Sequence, residues 1–473
     1  MKRILKNLLF LSVAEFFFKI LGFFAVAYLA RVLGPKGFGE IGFAAAILAY
    51  FLLLVNLGLD TFGVREVARD RTKVESYLNN ILTIRLVASL ISFVFLVIFI
   101  YFIPKPLEVK KLILFYGLSL FSFSLTIEWV FMGIEKMEYI AISRVVKQVI
   151  YLALVLVFIK GPKQILSIPF AYLGSTLIGS IILLYFFIQG YGNYKLKFDL
   201  PFWKKILHQS LPMGFSYIMI QIYYNFGLVM LGFLKGDEAV GWYSAAYKIV
   251  LLLLVLPTLV VTVFFPLLSN YFKDNFSQLK DVASIYVKIL VILGIPFGFG
   301  GTVLAKELIS FIYGQNYSTA ILAFQILIWD LVIVFFNIAY GNPLMAWDQQ
   351  KKHMKCIALG TGVNLIFNFL LIPKYSLYGA SVATLLAELV VFLGVYPTFQ
   401  KIVKINVISQ ITKPILASTG MTIILLLIKE SLPNIFILIP LGIVIYFFLL
   451  WMLKGISRND VDFLLGRTGR LAA

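Results

Sequence analysis

Charged side chains recur inside stretches that are otherwise apolar, and their types and spacing limit what they can do. Glu15 lies four residues before Lys19, the favourable order for an ion pair on one helical face, and Ser12 and Gly22 share that face. Arg144, Lys147, Gln148 and Tyr151 repeat the pattern later in the chain, and Arg85, Lys248 and Lys288 add further positive charge. A charge facing lipid costs roughly 2.5–3.5 kcal/mol, so these groups must face protein or water, and together they outline a cationic interior. Lys147 and Lys288 are also placed to reach the interface along their own stems. The Glu15–Lys19 pair fits two roles: mutual neutralisation, or a contact for substrate or proton exposed when the pair opens.

Acidic counterparts are Asp60 and Glu128, near the ends of their apolar stretches, and Asp330 and Glu388, deeper inside theirs. A buried carboxylate can hold and exchange a proton, which makes Glu15, Asp330 and Glu388 candidates for coupling to an ion gradient; charge compensation of nearby Lys and Arg is the other reading. Uncharged polar stripes accompany them. Ser210, Gly214, Tyr217, Gln221, Tyr224 and Asn225 share one helical face, Asn364 and Asn368 a second, and Ser381, Thr384 and Glu388 a third. Such stripes serve either as packing seams between helices or as a wet path whose hydrogen-bonding groups suit sugars, with Gln221, Tyr224, Asn225, Asn364 and Asn368 as candidate glycan contacts.

Enzymatic chemistry finds little to work with. Phosphate-cradling glycine loops and nucleophile elbows are missing from the sequence, so no nucleotide or other cofactor is expected. Asp460 and Asp462 form a D-x-D in a polar tail where solvation explains them. The single cysteine, Cys356, and the two histidines, His208 and His353, supply no disulfide framework and no metal cluster.

The elements that must position these groups are membrane helices. About fourteen apolar stretches, most of roughly 18–28 residues, follow one another with little between them, each long enough to cross a bilayer. The chain is 61% hydrophobic and 13% charged, with a mean hydropathy of +0.96, which a water-soluble fold of 473 residues could not cover with polar surface. The expected spans are 8–30, 41–61, 77–103, 112–133, 139–159, 168–190, 207–233, 240–267, 283–304, 320–346, 354–372, 379–399, 411–428 and 435–453. The first follows a basic start but carries Glu15 and Lys19 and lacks a small-residue cleavage site, so it reads as a retained helix. The net charge of +19 would point to nucleic acid in a soluble protein. Here about 24 of the 41 Lys and Arg gather on the side of the termini, about 11 opposite and about six within spans, which predicts cytoplasmic termini in a cell membrane and no nucleic-acid partner. Basic residues on that side also suit anionic lipid headgroups.

An internal repeat emerges from the loops after the first and seventh spans. LGPKGFGEIGFAAA from Leu33 and KGDEAVGWYSAAYK from Lys235 share a glycine separation, Gly34 with Gly39 and Gly236 with Gly241, and GIEKMEYIAISRVV from Gly133 echoes WDQQKKHMKCIALG from Trp347. Six spans separate the copies, so both face the same way, a parallel repeat of two six-helix lobes. The expected division is 1–200 and 201–403, with 404–473 holding two further helices and a tail. Pro257, Pro296 and Pro343 interrupt late spans, and Gly294, Gly298, Gly300 and Gly301 mark either a bending segment or the ordinary glycine content of membrane helices.

ARVLGPKGFGEIG from Ala30, GVREVAR from Gly63, EWVFMGIEKMEYIA from Glu128 and LKGDEAVGWYSAAYKI from Leu234 resemble Wzx-type polysaccharide flippases of the multidrug, oligosaccharidyl-lipid and polysaccharide exporter superfamily, whose relatives include MurJ and the MATE transporters. The resemblance implies an all-α polytopic fold of two similar lobes around a cavity, and the movement of a lipid-linked oligosaccharide between leaflets by alternating access. It implies a cationic lining to which Lys19, Arg85, Arg144 and Lys248 would correspond; the partners expected are the lipid-linked oligosaccharide, membrane lipids and glycan-assembly proteins, with H+ or Na+ if the carboxylates Glu15, Asp330 or Glu388 couple transport. Two rival readings remain: a MATE-type exporter of amphipathic cations, against which the cationic excess argues, and a membrane glycan polymerase or ligase.

Overall fold

The computed structural model describes residues 2–456 apart from 193, 275 and 433, with side chains described outside 2–13, 215–217, 220, 274, 276 and 277. The side chains of Ser12 and Tyr217, and Asp460 and Asp462 altogether, lie outside the described residues. Among the described residues the elements are α-helices joined by turns and short 3-10 segments, with no strand. That follows from the composition: in hydrocarbon every backbone N–H and C=O must bond internally, and helices do this within one segment.

The first compact unit, Met1–Ser244, holds α1 (Lys2–Asn56), α2 (Leu59–Arg69), α3 (Val74–Phe102), α4 (Leu107–Gly117), α5 (Ser119–Ser124), α6 (Glu128–Gly133), α7 (Met137–Phe158), α8 (Ile168–Tyr191) and α9 (Leu200–Leu234). A straight helix of the length of α1, 55 residues, would span about 80 Å, more than twice the hydrocarbon thickness. The chain breaks it at Gly34, whose φ of 68° suits glycine, followed by Pro35. The fourth crossing is divided into α4, α5 and α6, and α6 packs against α2 where Gly63 seats the Trp129 ring.

The second unit, Ala245–Ala473, contains most of α10 (Asp237–Leu253), then α11 (Val255–Asp274), α12 (Phe276–Val303), α13 (Ala305–Tyr313), α14 (Ala320–Ala346), α15 (Gln350–Gln400), α16 (Val407–Ile428) and α17 (Ile435–Met452). The break between α10 and α11 falls at Leu254, where Pro257 has no N–H to offer the carbonyl of Leu253. By contrast α12 continues through Pro296. Its Gly294, Gly298 and Gly301 face Phe335, Val332 and Ile328 of α14 too closely for any β-carbon, so these glycines form a packing seam. The 51 residues of α15 turn back at Ser376, where φ is 52°, so that Gly360 packs on Val391 and Gly394 on Cys356. Against α12, α16 and α17 close a separate apolar cluster in which the Tyr446 hydroxyl donates to the carbonyl of Ile292 at 2.8 Å. With α1 and α15 each counted as two crossings and α9 as one, the eleven long apolar stretches amount to about fourteen, and the chain is a multi-pass membrane protein.

The repeated loops meet within the first unit. A β-carbon on Gly39 would overlap the carbonyl oxygen of Asp237, and one on Gly241 the carbonyl oxygen of Pro35. Beside this contact, Lys105 donates to Asp237 at 2.6 Å with both side chains nearly buried, and its ammonium lies 4.5 Å from the centre of the Phe43 ring. Gly39→Ala and Gly241→Ala must push two backbones apart and should each lower stability by roughly 1–3 kcal/mol, read as a lower unfolding midpoint of the purified protein. Gly190→Ala, with open space around it, should leave the midpoint unchanged or slightly raised.

Candidate anion site in the first unit

The first unit encloses a cavity of about 290 Å³ whose lining includes Asp60, Arg85, Thr126, Glu128, Arg144, Lys147 and Tyr172. Four elements deliver the charges. The α1–α2 turn, with Gly58 in the left-handed region, sets Asp60 at the start of α2. From α3 comes Arg85, from the start of α6 comes Glu128, and α7 carries Arg144 and Lys147 one turn apart.

Arg85 is fully buried and its guanidinium is held at both ends. One terminal nitrogen donates to Asp60 Oδ1 at 2.5 Å and to Asn56 Oδ1 at 3.3 Å, the other to the carbonyl of Thr126 at 2.8 Å, and the group lies over the Phe123 ring. Thr126 is free to accept because the helix is broken between α5 and α6. Arg144 is similarly clamped. Its Nε and Nη2 donate to Glu128, the shortest contact being 2.6 Å, and its Nη1 donates to Glu15 Oε2 at 3.1 Å. Lys19 approaches the other oxygen of Glu15 at 3.8 Å.

Four cations, Lys19, Arg85, Arg144 and Lys147, therefore stand against three carboxylates, Glu15, Asp60 and Glu128. The surplus falls on Lys147. Among the described residues no carboxylate lies within ion-pair distance of its ammonium, which stands 5.9 Å from the centre of the Tyr172 ring while its stem runs past Gly179. A group with surplus positive charge, planar guanidinium donors and hydroxyl neighbours is suited to a multivalent oxyanion.

Of the residues singled out in the sequence, Lys19, Glu15, Arg85, Arg144 and Lys147 come together here. Asp60 and Glu128 were expected near span ends; the structure makes them the partners of Arg85 and Arg144. The signal for this was the buried guanidinium, which requires an anion, although a sequence does not say which one. Asn56, Thr126 and Tyr172 carried no such signal. Elsewhere in the unit, Asn225 Nδ2 donates to Gln221 Oε1 at 2.9 Å, and Tyr224 is exposed beside Tyr223.

The remaining candidates belong to the second unit, where Lys248 is exposed. Asp330 is 2% exposed and its Oδ1 has no hydrogen-bond partner among the described residues. It is an electrostatic neighbour of Glu388, whose Oε2 accepts from Asn337 Nδ2 at 2.5 Å. Asn364 and Asn368 are buried and bonded to each other, Asn368 Nδ2 donating to Asn364 Oδ1 at 2.8 Å. Among the described residues no cluster of three or more His, Cys, Asp or Glu is placed to hold a metal ion.

The chain is 23% identical over 392 residues to a putative O-antigen transporter of Escherichia coli strain K12, covering 82% of this chain and 94% of that one. It is 21% identical over 404 residues to the capsular polysaccharide biosynthesis protein CapF of Staphylococcus aureus, covering 84% and 99%. Among solved structures, the lipid II flippase MurJ in an inward closed conformation superposes with a TM-score of 0.74 at 20% identity over 93% of this chain and 97% of that one, a likeness of fold. The MatE family model matches residues 212–370. Because the model of the polysaccharide biosynthesis protein family matches residues 4–272, more than half of the 473 residues, the chain belongs to that family.

Proposed function

We propose that the protein is a flippase that moves a lipid-linked oligosaccharide, carried on a polyprenyl diphosphate, across the cytoplasmic membrane for surface polysaccharide synthesis. The surplus of cations in the first unit carries this reading, because a diphosphate is the part of such a substrate that a bilayer rejects most strongly. Family membership and the putative O-antigen transporter, flippase and capsular polysaccharide protein it resembles support the same reading.

The ion pairs explain how a membrane protein tolerates these charges. Arg85 and Arg144 rest on Asp60, Glu15 and Glu128, which spares them the cost of a bare buried ion. A diphosphate entering the cavity would meet Lys147 first and then compete for the guanidiniums, exchanging one set of charge-assisted hydrogen bonds for another. Such an exchange keeps the net cost small in both directions, as a carrier that must also release its cargo requires. The polyprenyl tail would remain in the bilayer, since withdrawing it would lose about 0.8 kcal/mol per methylene. Gln221, Tyr224 and Asn225, with Asn364 and Asn368, are the proposed glycan contacts, and Lys248 is a further cation for the headgroup. The lobes would comprise 1–200 and 201–403, with 404–473 as additional helices, and both termini would be cytoplasmic.

Energy coupling is assigned to the carboxylates Asp330 and Glu388, with Glu15 as the alternative, and to H+ or Na+ as the coupling ion. Asp330 supports it most directly: a buried carboxylate oxygen without a donor is completed by a proton or a small cation. The same feature and the MatE match favour one rival, an exporter of amphipathic cations. Glycan-assembly proteins would supply the substrate and receive it.

Lys147→Gln removes the surplus charge without stranding a carboxylate. In vesicles carrying a fluorescent polyprenyl-diphospho-oligosaccharide, it should slow leaflet exchange roughly tenfold or more, the worth of one charge-assisted hydrogen bond, at unchanged thermal stability. Wild-type exchange by both Lys147→Gln and Lys19→Ala would remove the anion site, and cation export indifferent to Lys147→Gln would select the rival. Asp330→Asn should leave substrate binding intact while abolishing the acceleration of exchange by an imposed proton or sodium gradient. A full response to both gradients in Asp330→Asn and Glu388→Gln alike would move the coupling to Glu15.

A further inference from the structure

Residues 194–199 connect α8 to α9, and their sequence alternates: Lys195, Leu196, Lys197, Phe198, Asp199, then Leu200 at the first turn of α9. The segment is tied down along one edge. The N–H of Lys195 donates to Asn79 Oδ1 at 2.8 Å and the N–H of Lys197 to Thr83 Oγ1 at 3.2 Å, both on α3. Two donors two residues apart pointing the same way is the period of an extended chain, in which successive side chains leave on opposite faces. At its ends Tyr194 and Trp203 pack into the core of the first unit, and the indole N–H of Trp203 donates to Asn80 Oδ1 at 3.2 Å.

The two faces differ in chemistry. Leu196, Phe198 and Leu200 are 51%, 72% and 70% exposed, far more than a strap docked on its own protein would leave open in water. Lys195 and Lys197 are also exposed, and Lys204 and Lys205 follow, against one carboxylate, the exposed Asp199, which caps α9 by accepting from the N–H of Phe202 at 3.0 Å. The strap starts just past the apolar stretch that ends at Tyr191, where the headgroup region would follow if that stretch fills the hydrocarbon.

We propose that this strap is an interfacial anchor for an anionic leaflet: Leu196, Phe198 and Leu200 enter the acyl boundary while Lys195 and Lys197 hold anionic phospholipid headgroups. The fixed backbone makes the arrangement specific, because the hydrogen bonds to Asn79 and Thr83 set which side chains face the lipid, and the surplus of lysines sets the sign of the headgroup. Nothing in this depends on what the protein transports.

Cys356 is the one cysteine, so single cysteines can be placed at 195, 196, 197 and 198 in a Cys356→Ser background and labelled with an environment-sensitive fluorophore in nanodiscs of neutral lipid with or without phosphatidylglycerol. Labels at 196 and 198 should emit at shorter wavelength and be quenched by acyl-chain quenchers, and those at 195 and 197 should not. Four labels equally exposed to water would overturn the anchor and point to a protein partner for this face. Energy transfer to fluorescent phosphatidylglycerol should show enrichment around the wild type that falls about twofold in the Lys195→Gln/Lys197→Gln protein and is kept in the Lys195→Arg/Lys197→Arg protein. Equal enrichment in all three would overturn the headgroup preference.

Discussion

The organisation of the first unit depends on one constraint, that a guanidinium inside a membrane-crossing bundle must never be without an anion. Arg85 at zero exposure and Arg144 between two carboxylates satisfy it in different ways, and the helices that bring the partners are irregular for that reason. Asp60 stands at a turn between α1 and α2, and Thr126 offers its carbonyl at the break between α5 and α6. A continuous fourth helix would have used that carbonyl internally and left the guanidinium short of an acceptor. The breaks and the charges are thus parts of one solution.

The polar face of α3 extends this economy to the edge of the unit. Asn79, Asn80 and Thr83 are buried and their acceptors are met by the strap's backbone and by Trp203, and Arg85 follows on the same helix. One helix therefore carries both the seat of the interfacial strap and the deepest cation of the cavity. The second unit solves the opposite problem. Its buried polar centre, around Asp330, Asn337 and Glu388, is acidic, and hydrogen bonds from Asn337 meet only part of it. The two units thus differ in their buried ionisable groups, paired guanidiniums in the first and neighbouring carboxyl groups in the second.

Much of this was legible in the sequence because lipid removes alternatives. Apolar length fixed the crossings, and even the two over-long helices break at residues that announce it, Gly34 before Pro35 and the polar run around Ser376. Charges within spans singled out Lys19, Arg85, Arg144, Lys147 and Lys248 as a cationic set and Glu15 as a coupling carboxylate; the first unit brings Glu15 together with the first four, whereas Lys248 belongs to the second unit. Partnership was not legible: Asp60 and Glu128 looked interfacial because a residue's depth near a span end depends on helix breaks that hydropathy averages away. Gly294, Gly298 and Gly301 show the same limit. The sequence offers a bending segment or the ordinary glycine content of membrane helices, and Phe335, Val332 and Ile328 across the interface show a packing seam that neither reading named.

The repeat is the clearest instance of sequence acquiring meaning from contact. Gly39 and Gly241 stand at equivalent positions of two similar loops, and each is glycine because the other loop's backbone occupies the space of its β-carbon. Two positions that meet each other in this way are constrained together, since a side chain at either forces both loops apart. The nearly buried pair Lys105–Asp237 lies beside that contact, so parting the loops would also expose an ion pair to water, where its attraction is weak. A seam that is tight when dry and readily solvated once open resists opening mainly through backbone packing, and that packing rests on two glycines.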